Sequence, residues 1–333
     1  MKAQILTNPE PIESNPLTFT EVSIPEIAAN EILIKVLVCG VCHTDLHVAE
    51  GELSPKHPKI IPGHQIVGTV EKYGKDVNRF KAGDRVGVTW LNATCQKCEY
   101  CRTERENLCD QALFTGYDRS GGFAEFTCIQ ADYAHAVPPD LPAEQTAPLL
   151  CAGVIGYRAL QLSRIQPGQR LGLYGFGASA HVAIQIARYW GCEVYVFTRS
   201  AAHREHAMEL GAKWTGLSQD TPPETMHSSI LFAPAGKLVP EALRVLCKGG
   251  VLAINAVHMS PIPALPYDLI YHERIIQSVA NCTRADAVEL LKLAVEIPIK
   301  TEVEVYEFEQ ANLVLNRLKR AEIRGAAVLK ISD

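Results

Sequence analysis

The sequence predicts an α/β protein in two parts, a β-rich domain and a doubly wound parallel sheet. Three observations predict it. Up to about residue 150 the apolar residues fall in short segments broken by Pro and Gly, whereas beyond it strand and helix patterns alternate. One strand-to-helix turn in the second part is built of glycines. At 333 residues the chain also exceeds the size at which a single core usually stops growing.

Composition narrows the class. With 47% hydrophobic and 21% charged residues the chain has ordinary globular texture, which argues against disorder. Its 32 basic and 37 acidic residues leave a net charge of −5, with no Lys/Arg-rich run, so no nucleic-acid partner is expected. The N-terminus Met1-Lys2-Ala3-Gln4-Ile5-Leu6 lacks a signal-peptide pattern, and no apolar run is long enough to span a bilayer. No membrane partner and a cytoplasmic location are therefore expected. In a reducing compartment, eleven Cys are read as metal ligands before disulfides.

In order, Ile32–Val38, Ile66–Val70, Arg85–Thr89 and Phe123–Ile129 read as strands, with turn chemistry at 61–65 and 81–85. Between the first two lies Gly40-Val41-Cys42-His43-Thr44-Asp45-Leu46-His47, which packs a soft metal ligand, a hydroxyl, a carboxylate and two imidazoles into eight residues. Few structural needs call for that mixture, and it reads as the metal-and-proton end of an active site. Further on, Cys95, Cys98, Cys101 and Cys109 form CxxCxxCx7C. Four thiolates can close tetrahedrally on one zinc and leave no open position, as structural sites do. Thiols without metal are the plain alternative; an iron–sulfur cluster is disfavoured because the bacterial spacing closes with three residues and a Pro.

The texture changes near Leu149-Leu150-Cys151-Ala152-Gly153, which leads into a helix. The strand Arg170–Tyr174 is followed by Gly175-Phe176-Gly177-Ala178-Ser179-Ala180 and a helix with Val182, Ala183, Ile186, Ala187 and Trp190 inward. A GxGxxA pattern alone is weak. Here it is followed by strands at 193–198, 229–232, 250–255 and 274–279 and helices at 202–210 and 238–246, as a parallel sheet requires. Glycines in that place let the backbone approach a pyrophosphate at the helix N-terminus, so a dinucleotide is expected. A helix at 285–295 and a closing strand at 326–331 end the chain. That tail is too short for a domain and should pack back on the first half. The expected domains are 1–151 with 286–333, and 152–285.

Taken together, GVCHTDLH at 40–47, PGH at 62–64, the Cys lobe, LLCAG at 149–153 and GxGxxA resemble the zinc-containing alcohol dehydrogenases of the medium-chain dehydrogenase/reductase family, nearly end to end. The resemblance implies a GroES-like catalytic domain around a Rossmann nucleotide-binding domain. It implies Cys42, His64 and Cys151 as ligands of a catalytic zinc with a fourth position open, and two zincs per chain. With ligands 22 and 109 residues after Cys42, the site is expected to form only when both domains assemble. Thr44 and His47 match the proton relay: zinc acidifies the alcohol, Thr44 takes its proton, and the cofactor ribose passes it to His47. Asp45 would orient His64, its plain alternative being a helix cap. His43 matches a pyrophosphate contact, or is a solvated side chain. Trp90 matches an aromatic wall of the substrate pocket that favours primary alcohols, or is a core residue. Relatives form dimers or tetramers, so a homo-oligomer is expected.

Three positions depart from the family pattern. Gln65 stands where most relatives carry Glu, which removes a negative charge near the metal. No acidic residue ends the second strand of the nucleotide domain. Thr198, Arg199, Ser200 and Arg204 stand there, which favours NADP(H) over NAD(H). Ile155 falls where many relatives have Thr beside the nicotinamide. The reading is thus an enzyme that interconverts primary alcohols and aldehydes. Its alternatives are a non-catalytic zinc-bearing dinucleotide-binding module and, within the class, a cinnamyl or aryl-type alcohol dehydrogenase.

Overall fold

The computed structural model describes residues 1–297 and 299–332. The chain divides into two compact units, one of Met1–Cys151, Cys282–Val295 and Lys300–Asp333, the other of Ala152–Asn281 with Glu296–Ile299. The long segment of the second unit ends at Asn281, short of the expected 285, and the helix Arg284–Glu296 begins in the first unit. Among the described residues no helix is long and apolar enough to cross a membrane.

In the first unit a seven-stranded sheet is built on Glu31–Val41, an 11-residue strand whose Ile32, Leu33, Ile34, Val36, Val38 and Cys39 are all buried. A near-continuous apolar run suits a strand covered on both faces. It pairs antiparallel with Gln65–Tyr73, Phe126–Gln130 and the closing strand Ala326–Lys330. The tail thus supplies an edge of this sheet, where Val303–Glu307 also pairs with it. Gly40 lies opposite Gln65 in this register. Cys42 and His64, just beyond that pair, consequently leave the sheet at the same end. The short 3-10 helix Ala147–Leu150 packs Leu150 against Val38, Val67 and Val328, which seats Cys151 beside them. An N-terminal hairpin of Lys2–Leu6 with Leu17–Glu21 and the helix Ala311–Lys319 complete the unit; neither is signalled by the sequence pattern.

In the second unit six parallel strands lie in the order Trp214–Gly216, Glu193–Phe197, Arg170–Tyr174, Met226–Leu231, Leu246–Ile254 and Ile275–Ser278. The order reverses beside Arg170–Tyr174, and at such a switch point doubly wound sheets take their ligands. Helix Ala178–Tyr189 buries Val182, Ala183, Ile186 and Ala187 as expected, whereas Trp190 is only half-buried, at the helix end against Tyr157.

Candidate active site

Cys42 caps the helix His43–Glu50: its Sγ accepts from Thr44 N–H at 3.3 Å, and its own N–H donates to Asp45 Oδ2 at 2.9 Å. This is a capping box with a thiol where Ser or Thr usually stands. The second Asp45 oxygen accepts from Gly63 N–H at 3.1 Å and from His64 Nδ1–H at 3.0 Å. One carboxylate therefore performs both roles foreseen for it, helix cap and partner of His64. Gly63 has φ +93°, and a Cβ there would meet Phe123 at 2.4 Å, so no other residue lets the chain present His64 in this way.

With Nδ1 held by Asp45, His64 turns Nε2 toward Cys42 Sγ, 3.4 Å away. The ligand atoms of Cys42, His64 and Cys151 all lie within 4.8 Å of one another. All three belong to the first unit, within the expected bounds 1–151. The electrostatics of the group ask for a cation. Burial works against a charged His64, but the carboxylate of Asp45 and the Cys42 thiolate outweigh it and raise its pKa to about 10. The Cys151 thiol donates to Cys42, which lowers Cys42 well below the usual thiol value and raises Cys151 well above it. Two sulfurs and an imidazole nitrogen suit zinc and leave a coordination position to spare.

Thr44 is half-buried in the first turn of the same helix, His47 lies in its last turn, and His43 is exposed. Gln65 is buried with its side chain over Gly40, where an added Cβ would meet Oε1 at 2.7 Å. Trp90 stands edge-on to His64 with ring centroids 4.9 Å apart, and stacks on Phe114 at 5.2 Å and Tyr117 at 6.1 Å. Neither Phe114 nor Tyr117 carries a sequence signal. They reach Trp90 because Leu91 pairs with Phe114 across a two-stranded ribbon.

The second cysteine group is also assembled. Its sulfurs lie within 4.8 Å of one another, with Cys95 3.8 Å from Cys101, Cys98 3.5 Å from Cys101 and Cys109 3.5 Å from Cys95. Sulfurs at about 2.3 Å from a tetrahedral zinc are about 3.8 Å apart, so the group fits that ion. Backbone N–H groups point at it: those of Lys97 and Cys98 pull Cys95 down to about 6, and that of Gln111 reaches Cys109 at 3.4 Å. Gln96 adopts φ 58° to turn the chain within the knuckle.

In the second unit, Gly175 has φ +89° with Ala233 N 3.0 Å from an added Cβ, whereas a Cβ on Gly177 would meet nothing within 4 Å. The first glycine is needed for the turn, the second leaves open backbone at the N-terminus of Ala178–Tyr189, which no side chain caps. Ala178 is exposed, Ser179 half-buried and Ala180 buried. A pyrophosphate fits that cradle. At the end of the next strand Thr198 is buried and Arg199 exposed. The Ser200 hydroxyl caps helix Ala201–Glu209 by accepting from His203 N–H at 3.3 Å. Arg204 donates to the Thr198 and Arg199 carbonyls at 2.8 and 3.1 Å. Two of the four side chains thus shape the turn, and Arg199 is the exposed cation on it.

A two-unit fold with a Cys/His/Cys ligand group, a four-cysteine lobe and a glycine cradle defines a zinc-binding dehydrogenase. The family Alcohol dehydrogenase GroES-like domain matches residues 28–139, and Zinc-binding dehydrogenase matches residues 180–296. The chain is 44% identical to a probable alcohol dehydrogenase of Mycobacterium tuberculosis over 99% of this chain and 97% of that one. With an alcohol dehydrogenase of Geobacillus stearothermophilus the identity is 36% over 95% and 96% of the chains. A cinnamyl alcohol dehydrogenase of Sorghum bicolor superposes with a TM-score of 0.90 at 30% identity, covering 99% and 97%. The Helicobacter pylori CAD complexed with NADP(H) superposes with 0.85 at 25%, covering 99% of each chain. The chain belongs to the zinc-type alcohol dehydrogenases of the medium-chain dehydrogenase/reductase family. It is accordingly an NAD(P)-dependent oxidoreductase acting on small alcohols and aldehydes.

Proposed function

We propose that this enzyme interconverts primary alcohols and aldehydes, with NADP(H) favoured over NAD(H) and two zinc ions per chain. The observation that carries the reading is the convergence of Cys42, His64 and Cys151, with Asp45 fixing His64 from behind. Zinc held there supplies Lewis acidity toward the alcohol oxygen, and a nicotinamide supplies the hydride acceptor. This chain's residues do the rest. Thr44 accepts the hydroxyl proton, His47 carries it toward solvent, and Gln65, neutral where the family pattern has Glu in most members, leaves the metal's positive charge less offset. Cys95, Cys98, Cys101 and Cys109 hold the second ion as a closed structural site.

On the cofactor side, Gly175, Gly177, Ala178, Ser179 and Ala180 receive the pyrophosphate, with His43 as a further contact. Arg199, with Thr198, Ser200 and Arg204 around it, receives a 2′-phosphate. The absence of a carboxylate at the strand end favours this choice, because a carboxylate there would repel that group. The sheet edge Ile275–Ser278 with its exposed Ile276 supports a homo-oligomer, dimer or tetramer, which light scattering measures.

The stack of Trp90 on Phe114 and Tyr117 beside His64 favours a second reading for the substrate, an aromatic aldehyde of the cinnamyl or aryl type. A panel of aliphatic and aromatic aldehydes run with NADPH and NADH separates the readings. The expected result is higher kcat/KM with NADPH and turnover of primary substrates; preference for NADH would reverse the cofactor assignment. In the same panel Trp90→Ala should widen the accepted chain length, and an unchanged profile would remove Trp90 from the pocket.

A further inference from the structure

Helix His43–Glu50 stops at Gly51, whose φ of 78° lies in the left-handed region. A Cβ there would meet Pro9 Cβ at 2.9 Å, so both conformation and room require glycine. After this turn the chain doubles back, and the Leu53 N–H donates to the His47 carbonyl at 3.2 Å. Residue 52 lies between those two constraints. Its carboxylate is brought to the proposed relay histidine, with Glu52 Oε2 2.5 Å from His47 Nδ1.

A carboxylate placed there favours the ring tautomer that carries its proton on Nδ1. The contact is close in distance but off the ideal hydrogen-bond line, as catalytic contacts often are before substrate binds. With side-chain exposures of 26% for His47 and 53% for Glu52, the pair contributes little to stability. What it can decide is which ring nitrogen holds the proton. His47 also sits in the last turn of its helix, where the helix dipole favours a cation.

We propose that Glu52 is a positioning residue of the proton path. It holds the proton of neutral His47 on Nδ1, leaving the lone pair of Nε2 to accept the proton released by the alcohol. When Nε2–H forms and the donor O–H breaks, the imidazolium is stabilised by the Glu52 carboxylate until Nδ1 or Nε2 passes a proton to water. No electrons move in this step. The inference rests on the reading of Thr44 and His47 as relay.

The test combines 15N-resolved NMR of the histidine rings with steady-state alcohol oxidation, in the wild-type holoenzyme, Glu52→Ala, Glu52→Gln and His47→Gln. The His47 signal is identified by its loss in His47→Gln. Wild type is expected to show the Nδ1–H tautomer, Glu52→Gln to keep it through its amide oxygen, and Glu52→Ala to go over to Nε2–H. Glu52→Ala should lower kcat about tenfold with KM unchanged, and should cost nothing further in the His47→Gln background. An unchanged tautomer in Glu52→Ala, or an equal loss of kcat in both backgrounds, would overturn the proposal. Wild-type kcat in His47→Gln would instead sink the relay reading, while the tautomer still decides the Glu52 contact.

Discussion

Asp45 is the residue on which most of the candidate site converges. Its two oxygens take three hydrogen bonds, from Cys42 N–H, Gly63 N–H and His64 Nδ1–H, at 2.9 to 3.1 Å. Burial pushes its carboxyl up, against the opposing pull of His64. Asp45→Asn keeps the shape but offers one oxygen fewer and no charge. Zinc affinity at the Cys42/His64/Cys151 group should fall about 10–100-fold, as measured by competition with a chromogenic chelator. Unaltered affinity would mean that the capping role alone explains Asp45. The sequence shows this residue through the family motif, and its spacing from Cys42 is that of a capping box. Cys42 as the capping residue is not legible in the sequence, because Cys is not among the usual cap residues.

At the scale of elements, the ligands were readable where chemistry and spacing coincide, as in the cysteine lobe and GxGxxA. What could not be read depends on packing between distant segments. Phe114 and Tyr117 are ordinary aromatics until a ribbon folds them against Trp90, and Glu52 is an ordinary surface acid until Gly51 turns it onto His47. Arg204 looked like a phosphate ligand in sequence, yet its guanidinium is partly spent on the Thr198 and Arg199 carbonyls. Cys151, the last residue of the first unit's long segment, is seated by Leu150 in that unit's core, a packing that no local pattern announces. The cysteine lobe gives a prediction at this scale. Cys109→Ser should lower the zinc content from two ions per chain to about one and lower the thermal midpoint by several degrees, while kcat/KM at low temperature changes little. Full zinc content in that variant would refute the four-sulfur assignment.

For the whole molecule, acid stability reports on buried charge. Burial, and then the nearby Arg79 and Arg284 guanidiniums, depress His135 to about 4 from its ordinary 6.5. The unfolded chain therefore binds a proton that the native chain refuses. The stability contributed by neutral His135 is fully present above pH ~6.5 and falls as the pH drops toward ~4, by on the order of 3 kcal/mol. His135→Phe should flatten this part of the urea-midpoint profile relative to the parent; parallel profiles would contradict it. The two-part organisation itself was open to sequence reading, because strand and helix periodicities change near residue 150 and change back in the tail. The return to the first sheet is set by the pairing of Ala326–Lys330 with Glu31–Val41, which no local pattern announces.

Alcohol and aldehyde turnover should depend on a zinc held by Cys42, His64 and Cys151. That dependence is tested most directly by aldehyde-dependent NADPH oxidation in Cys42→Ser against the parent, with zinc per chain measured in the same samples. The variant should stay folded, retain about one zinc and lose turnover about a hundredfold or more. Turnover at the parental rate, or two zincs retained per chain, would contradict it.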